Sequence, residues 1–183
     1  MTKMNELIIN RPEATEYPPY YEGYISLVPQ GDIVNILQEQ LDETLKLLRD
    51  IPESQAGFRY APGKWSIKEL VGHVIDGERI FAYRALRFAR NDSTPLSGYE
   101  QDDYIQNASF DECTLSDLAD ELESVRRSNV FLFKHLNQEA WLRKGTANES
   151  EASVRALAYI LAGHELHHRA ILRERYLQPQ QEG

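Results

Sequence analysis

Residues 153–177 read SVRALAYILAGHELHHRAILRERYL, and the spacing of their apolar side chains decides the fold. At about 100° per residue, with His164 set at zero, Leu157 lies at ~20°, Leu161 at ~60°, Ile171 at ~−20° and Val154 at ~80°. That is the stripe of an amphipathic helix turned toward a core. His168 falls at ~40°, inside the same stripe, so the helix carries two imidazoles one turn apart on its buried side. Pro179 ends the pattern, and 179–183 is read as a polar tail.

Outward from this segment the same period appears three more times. Residues 32–49 carry Ile33, Leu37, Leu41, Leu45 and Leu48 at helical spacing. The next helix has a local start signal, the capping box Ser66-Ile67-Lys68-Glu69 after the turn Pro62-Gly63, and it is expected to run to about Arg90. Its core face is Ile67, Leu70, Val74, Phe81, Ala85 and Phe88. A third helix is expected over 114–136, with Leu118, Leu122, Val125 and Leu132 buried. No stretch alternates with period 2 between turn signals, so no sheet is assigned, and 144–151 is read as a polar connection. The fold class is all-α: a four-helix bundle over 31–178. The long 91–110 connection suits a crossover. Residues 1–30 read as an arm in which Pro12, Pro18, Pro19 and Pro29 prevent a regular helix, while Tyr17, Tyr20, Tyr21 and Tyr24 argue that it packs on the bundle.

Composition narrows the function. The 183 residues carry a net charge of −9, which disfavours a phosphate backbone as partner, so no nucleic acid is expected. One cysteine, Cys113, permits neither an internal disulfide nor a thiolate metal cage. The N-terminus has no signal-peptide apolar region, and no run reaches the ~18–20 apolar residues of a membrane span, so the expected location is cytoplasmic. P-loop, dinucleotide-binding and G-x-S-x-G patterns are missing from the sequence.

The histidines carry the chemistry. The i, i+4 spacing of His164 and His168 can bring two imidazoles to one metal ion, yet each is equally readable as a hydrogen-bonded core histidine. His167, at the stripe's edge, is a substitute ligand, a contact behind the ligands, or an outward group. His73 lies off its helix's stripe toward Gly77, Ile80 and Arg84, with Gly77 removing bulk beside it and so leaving room for a ligand. Glu165 is a candidate neighbouring base, although the run from His164 to His168 is not taken as a zincin signature. Asp76, one turn from His73, is either an acceptor for an imidazole N–H or a surface ion-pair partner. Arg84 and Arg87 could hold a substrate carboxylate or pair with the chain's surplus acids. Asp102, Asp103 and Tyr104 on the long connection could cover the cavity or supply a fourth ligand, but read more simply as a solvated loop. Trp65 and Trp141 read as packing anchors.

The run APGKWSIKELVGH (61–73), the run DGERIFAYR (76–84) and the run GHELHHR (163–169) resemble the second- and fourth-helix signatures of the DinB/YfiT-like superfamily. The resemblance covers about residues 30–177 and implies a four-helix bundle. It implies that His73, His164 and His168 bind a divalent metal, Zn²⁺ or Ni²⁺ above others, and that the protein is a homodimer. Ala170 departs from the family, where Gly often follows the Arg. Characterised relatives include transferases of low-molecular-weight thiols and a mycothiol-dependent isomerase. The leading expectation is therefore a metal-dependent transfer of a small thiol to an electrophile. The alternatives are a hydrolase using metal-bound hydroxide, with Glu165 or Asp76 as base, and a non-catalytic, metal-binding stress-response bundle.

Overall fold

A computed structural model describes residues 9–178; the start of the arm, 1–8, and the polar tail, 179–183, lie outside them. In chain order the described residues form α1 (Glu22–Ile25), α2 (Ile33–Arg49), α3 (Ile67–Ala89), α4 (Gln101–Asn107), α5 (Leu115–Lys134), α6 (Gln138–Leu142), the strands β1 (Lys144–Ala147) and β2 (Ser150–Ser153), and α7 (Val154–Ile171). The four long helices start at short polar caps, because the first backbone N–H groups of a helix have no partner within it. Asp32, Ser66, Thr114 and Ser153 each accept a hydrogen bond from the N–H three residues on. At Ser66 the capping box is complete, since Glu69 also accepts from the Ser66 N–H at 2.7 Å. At its C-terminal end α7 widens into one π turn, Leu172–Tyr176.

The helices pack in the ring order α2–α5–α3–α7, so α2 and α3, consecutive in sequence, stand diagonally opposite. Arg49 of α2 meets Asp120 and Glu123 of α5, while Leu37 meets Arg126, which makes that pair antiparallel. Ser66, at the start of α3, bonds Asp111 just ahead of α5, and Glu78 meets Arg126 further along both helices, so α3 and α5 run parallel. Two parallel neighbours require a return along the bundle's whole length, and residues 90–114, with α4, supply it. The apolar stripes of α2 and α3 are buried as their periodicity predicts. On α5 the buried face is rotated: Val125 and Leu132 are half-buried, while Arg126, Asn129 and Phe133 point inward.

Three local expectations need correction. A hairpin occupies the polar connection, where Lys144–Ala147 pairs antiparallel with Ser150–Ser153. Asn148 and Glu149 both take positive φ, as a tight two-residue hairpin turn requires, but Asn-Glu is a far weaker signal of it than Asn-Gly. Tertiary contacts hold the hairpin instead: Leu96 bridges to Ala147, and the Phe88 ring occupies the space a Cβ on Gly145 would need. The 91–110 connection is likewise more than a loop, since it contains α4. Within the arm the prolines still leave room for the single turn of α1.

The described part of the arm is packed down by Ile9, Tyr17, Ile25 and Val28, all buried with residues of the bundle. A charged clasp adds to this: Glu16 accepts from Arg155 and from the Ser153 hydroxyl at 2.7 Å. Burial alone would raise the Glu16 carboxyl, but Arg155, the Glu13 N–H and Ser153 outweigh it and hold the group down to about 2. The folded value is thus below the unfolded one of 4.5, so the stabilisation is complete above pH 4.5 and is lost as pH falls toward 2. Glu16→Gln is expected to lower stability by about 1–3 kcal/mol at neutral pH. Urea melts of the two proteins between pH 7 and 3 should converge at the acid end.

Candidate metal centre

His73 stands on α3, and His164 and His168 stand on the neighbouring antiparallel α7. The i, i+4 pair and the single histidine meet across that interface. His164 Nε2 lies 2.9 Å from His73 Nε2, and one ligand nitrogen from each of the three rings falls within 4.8 Å of the others. Bond lengths of about 2.0–2.1 Å in a tetrahedral zinc site put ligand nitrogens roughly 3.3 Å apart, so modest ring rotation closes the set on one ion. All three rings are buried. Burial pushes His73 down to about 4 and His168 to about 3, and His164 well below its ordinary range, so the rings are neutral donors at pH 7. Asp102 opposes the fall at His73 through its charge. His168 Nδ1 is buried without a hydrogen-bond partner. Facing, neutral, buried nitrogens with so little protein hydrogen bonding suit a divalent cation.

The surroundings fix the rings. Trp65 lies against His73 at 4.8 Å between ring centroids, and Tyr24 and Phe81 meet His164 edge-on at 5.6 and 5.7 Å. Two glycines make room. A Cβ on Gly163 would lie 2.1 Å from the Tyr24 carbonyl oxygen, so only glycine lets α1 rest on α7 and deliver Tyr24. A Cβ on Gly77 would lie 2.8 Å from His164 Cε1. The space that Gly77 leaves is filled by the His164 ring itself, not by a ligand. Gly77→Ala is expected to displace that ring and to weaken metal binding about 10–100-fold, read by competition with a chromophoric chelator.

Behind the histidines lies a buried ion cluster. Arg126 donates to Glu78 at 3.0 and 2.5 Å, to Glu165 at 2.7 Å and to the Leu37 carbonyl at 3.0 Å. Asn129 donates to Glu78 at 2.9 Å, and the Thr44 hydroxyl donates to Glu165. Glu165, read from sequence as a neighbouring base, therefore has both carboxylate oxygens engaged inside the bundle. Its place beside His164 is used to set the rotation of α7.

The other sequence-selected residues are spread around the centre. His167 is half-buried at the stripe's edge, 5.2 Å from Tyr24 and 5.1 Å from His168 between centroids, outside the ligand set. Asp76 is half-buried, and burial raises its carboxyl against the opposing charge of Arg79. Arg87 binds Asp92 and the Tyr83 hydroxyl, so it is not brought to the centre. Tyr104 is exposed beside Tyr99. Asp102 joins Trp65, Leu70, Tyr176 and His168 in lining a cleft that reaches the centre at His168. Sequence reasoning missed the roles of Tyr24, Phe81, Thr44, Glu78 and Arg126; only Arg126 carried a signal, a charge one turn after Leu122 within an apolar stripe.

No helix among the described residues is long and apolar enough to cross a membrane. Among curated proteins, none matches this sequence. Solved structures do share its fold. YfiT from Bacillus subtilis, described as a probable metal-dependent hydrolase with an unusual four-helix bundle topology, is 16% identical with a TM-score of 0.70, over 78% of this chain and 82% of its own. A DinB-like protein of Bacillus subtilis, YjoA, is 22% identical with a TM-score of 0.58, over 78% and 87%. The mycothiol-dependent maleylpyruvate isomerase is 13% identical with a TM-score of 0.63; the match covers 79% of this chain but 61% of that enzyme. At such identities the likeness is one of fold. The family itself is shown by sequence: the profile of the DinB superfamily matches residues 36–172, most of the chain, and the protein belongs to that superfamily.

Proposed function

We propose that this protein is a metal-dependent transferase that receives a low-molecular-weight thiol at His73, His164 and His168 and passes its sulfur to a small electrophile. The observation that carries this reading is the donor set: three buried, neutral imidazoles converging on one point beside a cleft that His168 lines, with the adjacent Glu165 carboxylate committed to Arg126 and Thr44. His73, His164 and His168 would hold a divalent cation, zinc or nickel, through neutral nitrogens, and its undiminished charge would favour the ionised form of a thiol at neutral pH. The thiol proton goes to solvent, so no protein base is required. A carbon–sulfur bond then forms as the electrophile's leaving group departs with its electron pair. Trp65 and Tyr176 wall the cleft, and Tyr24 and Phe81 hold the His164 ring in register. The thiol dependence named for the isomerase of the same fold supports this choice.

A hydrolytic reading stands second, because Asp102 lines the cleft with His168 and a base there could take a proton from water. Elemental analysis of untagged protein comes first, with about one zinc or nickel per chain expected. The loaded protein is then assayed with a panel of thiols against a chlorinated aromatic. Product is expected only with metal and thiol together. Turnover that needs metal but no thiol would replace this reading with the hydrolytic one, and bound metal without turnover in either assay would leave the non-catalytic, metal-binding bundle. Light scattering is expected to return a homodimer.

A further inference from the structure

Three arginines are buried among the described residues, and two have carboxylate partners: Arg126 has Glu78 and Glu165, and Arg169 has Glu43 at 2.9 Å. Arg84 differs. It is 5% exposed, and among the described residues no carboxylate lies within ion-pair distance of it. Its one hydrogen bond runs from Nη2 to the Ser97 carbonyl at 3.2 Å, and its guanidinium sits 6.0 Å from the Phe81 ring centroid. A guanidinium has five N–H donors, and apart from the bond to Ser97 those of Arg84 have no protein acceptor among the described residues; they are not sealed in the core and remain open to the cleft that Arg84 lines. Arg87, three residues on, shows the ordinary arrangement, bound to Asp92 and Tyr83 at the surface.

The space around Arg84 is a cleft lined by Tyr20, Tyr21, Tyr99 and Gln101, with Glu100 and Asp102 also on its wall. Burial raises the Tyr21 and Tyr99 phenols, so both stay protonated donors. Gln101 and Asp102 also line the cleft at His168, so the two spaces meet at the start of α4. The Phe81 ring lies against both the guanidinium and the His164 ring.

We propose that Arg84 is the carboxylate anchor of the substrate cleft, so that the electrophile brought to the metal centre carries one acid group. The remaining N–H groups of Arg84 take the carboxylate as a charge-assisted pair, with the tyrosine hydroxyls beside it. Glu100 and Asp102, both exposed, repel further negative charge, which favours a monoanion. This assignment deepens the transferase reading and rests on it for its role, but the anchor can be tested without the metal.

The probe is phenylacetate, an acid with an aromatic body for a tyrosine-lined cleft, and its neutral counterpart is phenylacetamide. Both are titrated into ¹⁵N-labelled full chain, chelator-treated and zinc-loaded, while the Arg84 Nε–H signal is followed. Phenylacetate is expected to shift that signal saturably in both forms, and phenylacetamide to leave it in place. By calorimetry, Arg84→Gln should weaken phenylacetate binding about tenfold or more, and Arg84→Lys less. An Arg84 signal unmoved by phenylacetate up to about 100 mM, or equal affinity in Arg84→Gln, overturns the proposal. Should Arg84→Gln fail to fold, the wild-type titration and Arg84→Lys still decide. A shift in protein that binds no zinc would sink the transferase reading and leave the anchor standing; zinc binding without a shift would do the reverse.

Discussion

Arg126→Ala is expected to destabilise the protein by about 3–5 kcal/mol, which for a chain of this size lowers the melting temperature by roughly 10 °C. The arginine is fully buried and donates to two carboxylates whose side chains are each 2% exposed. The charge of Arg126 is favoured there: burial opposes it, but Glu78 and Glu165 outweigh burial and raise its pKa. Alanine would strand both carboxylates in the core and also free the Leu37 carbonyl. The cost is thus mainly that of charges left unpaired, not of a lost attraction. Replacing all three members with apolar residues, Arg126→Met with Glu78→Leu and Glu165→Leu, should recover most of the loss. A triple variant as unstable as Arg126→Ala would mean that the hydrogen bonds and attraction within the cluster, not the cost of stranded charges, are what stabilises the core. Glu165 lies between His164 and His168 on one helix, so Arg126→Ala should also weaken metal binding.

The parts of this fold that are legible in the sequence are those made by local interactions. Asp32, Ser66, Thr114 and Ser153 announce helix starts because a cap bonds to an N–H only three residues away. Likewise, the i, i+4 pair His164 and His168 is set by one helix, and His73 was found by its displacement from an apolar stripe and by the family resemblance. The illegible parts depend on partners distant in sequence. The hairpin exists because Leu96 and Phe88 meet it, and nothing within 144–153 reveals them. On α5, hydrophobicity chose Val125 and Leu132, but the buried positions include Arg126 and Asn129, which are tolerated only because Glu78 arrives from α3. Gly77 was legible as a place where bulk is missing, but that a ring from α7 fills it requires the helix packing. Arg84 shows the same limit: its position was noticed, while its lack of a carboxylate partner is a fact of three dimensions.

His164→Ala is expected to remove metal binding, with affinity falling roughly 100-fold or more, beyond the usual effect of losing a group that only orients a ligand. The His164 ring is held between Tyr24 and Phe81 and against Gly77, and among the described residues no other histidine joins His73 and His168 in the ligand set. His167, its nearest imidazole neighbour in sequence outside the set, packs on Tyr24 at the edge of the stripe. His167→Ala should therefore retain metal, and this contrast separates ligation from a general loss of histidine. Thermal melts give a second readout. A metal that binds only the folded state stabilises it by about 2.7 kcal/mol at a hundred times Kd, roughly 5–10 °C here. Wild type and His167→Ala should show that gain on adding zinc, and His73→Ala, His164→Ala and His168→Ala should not. The cavity left by the His164 ring will lower the metal-free melting temperature by itself, so the diagnostic quantity is the zinc-induced increment. An increment in His164→Ala equal to that of wild type would mean that zinc binds elsewhere, and the transferase reading would lose its centre.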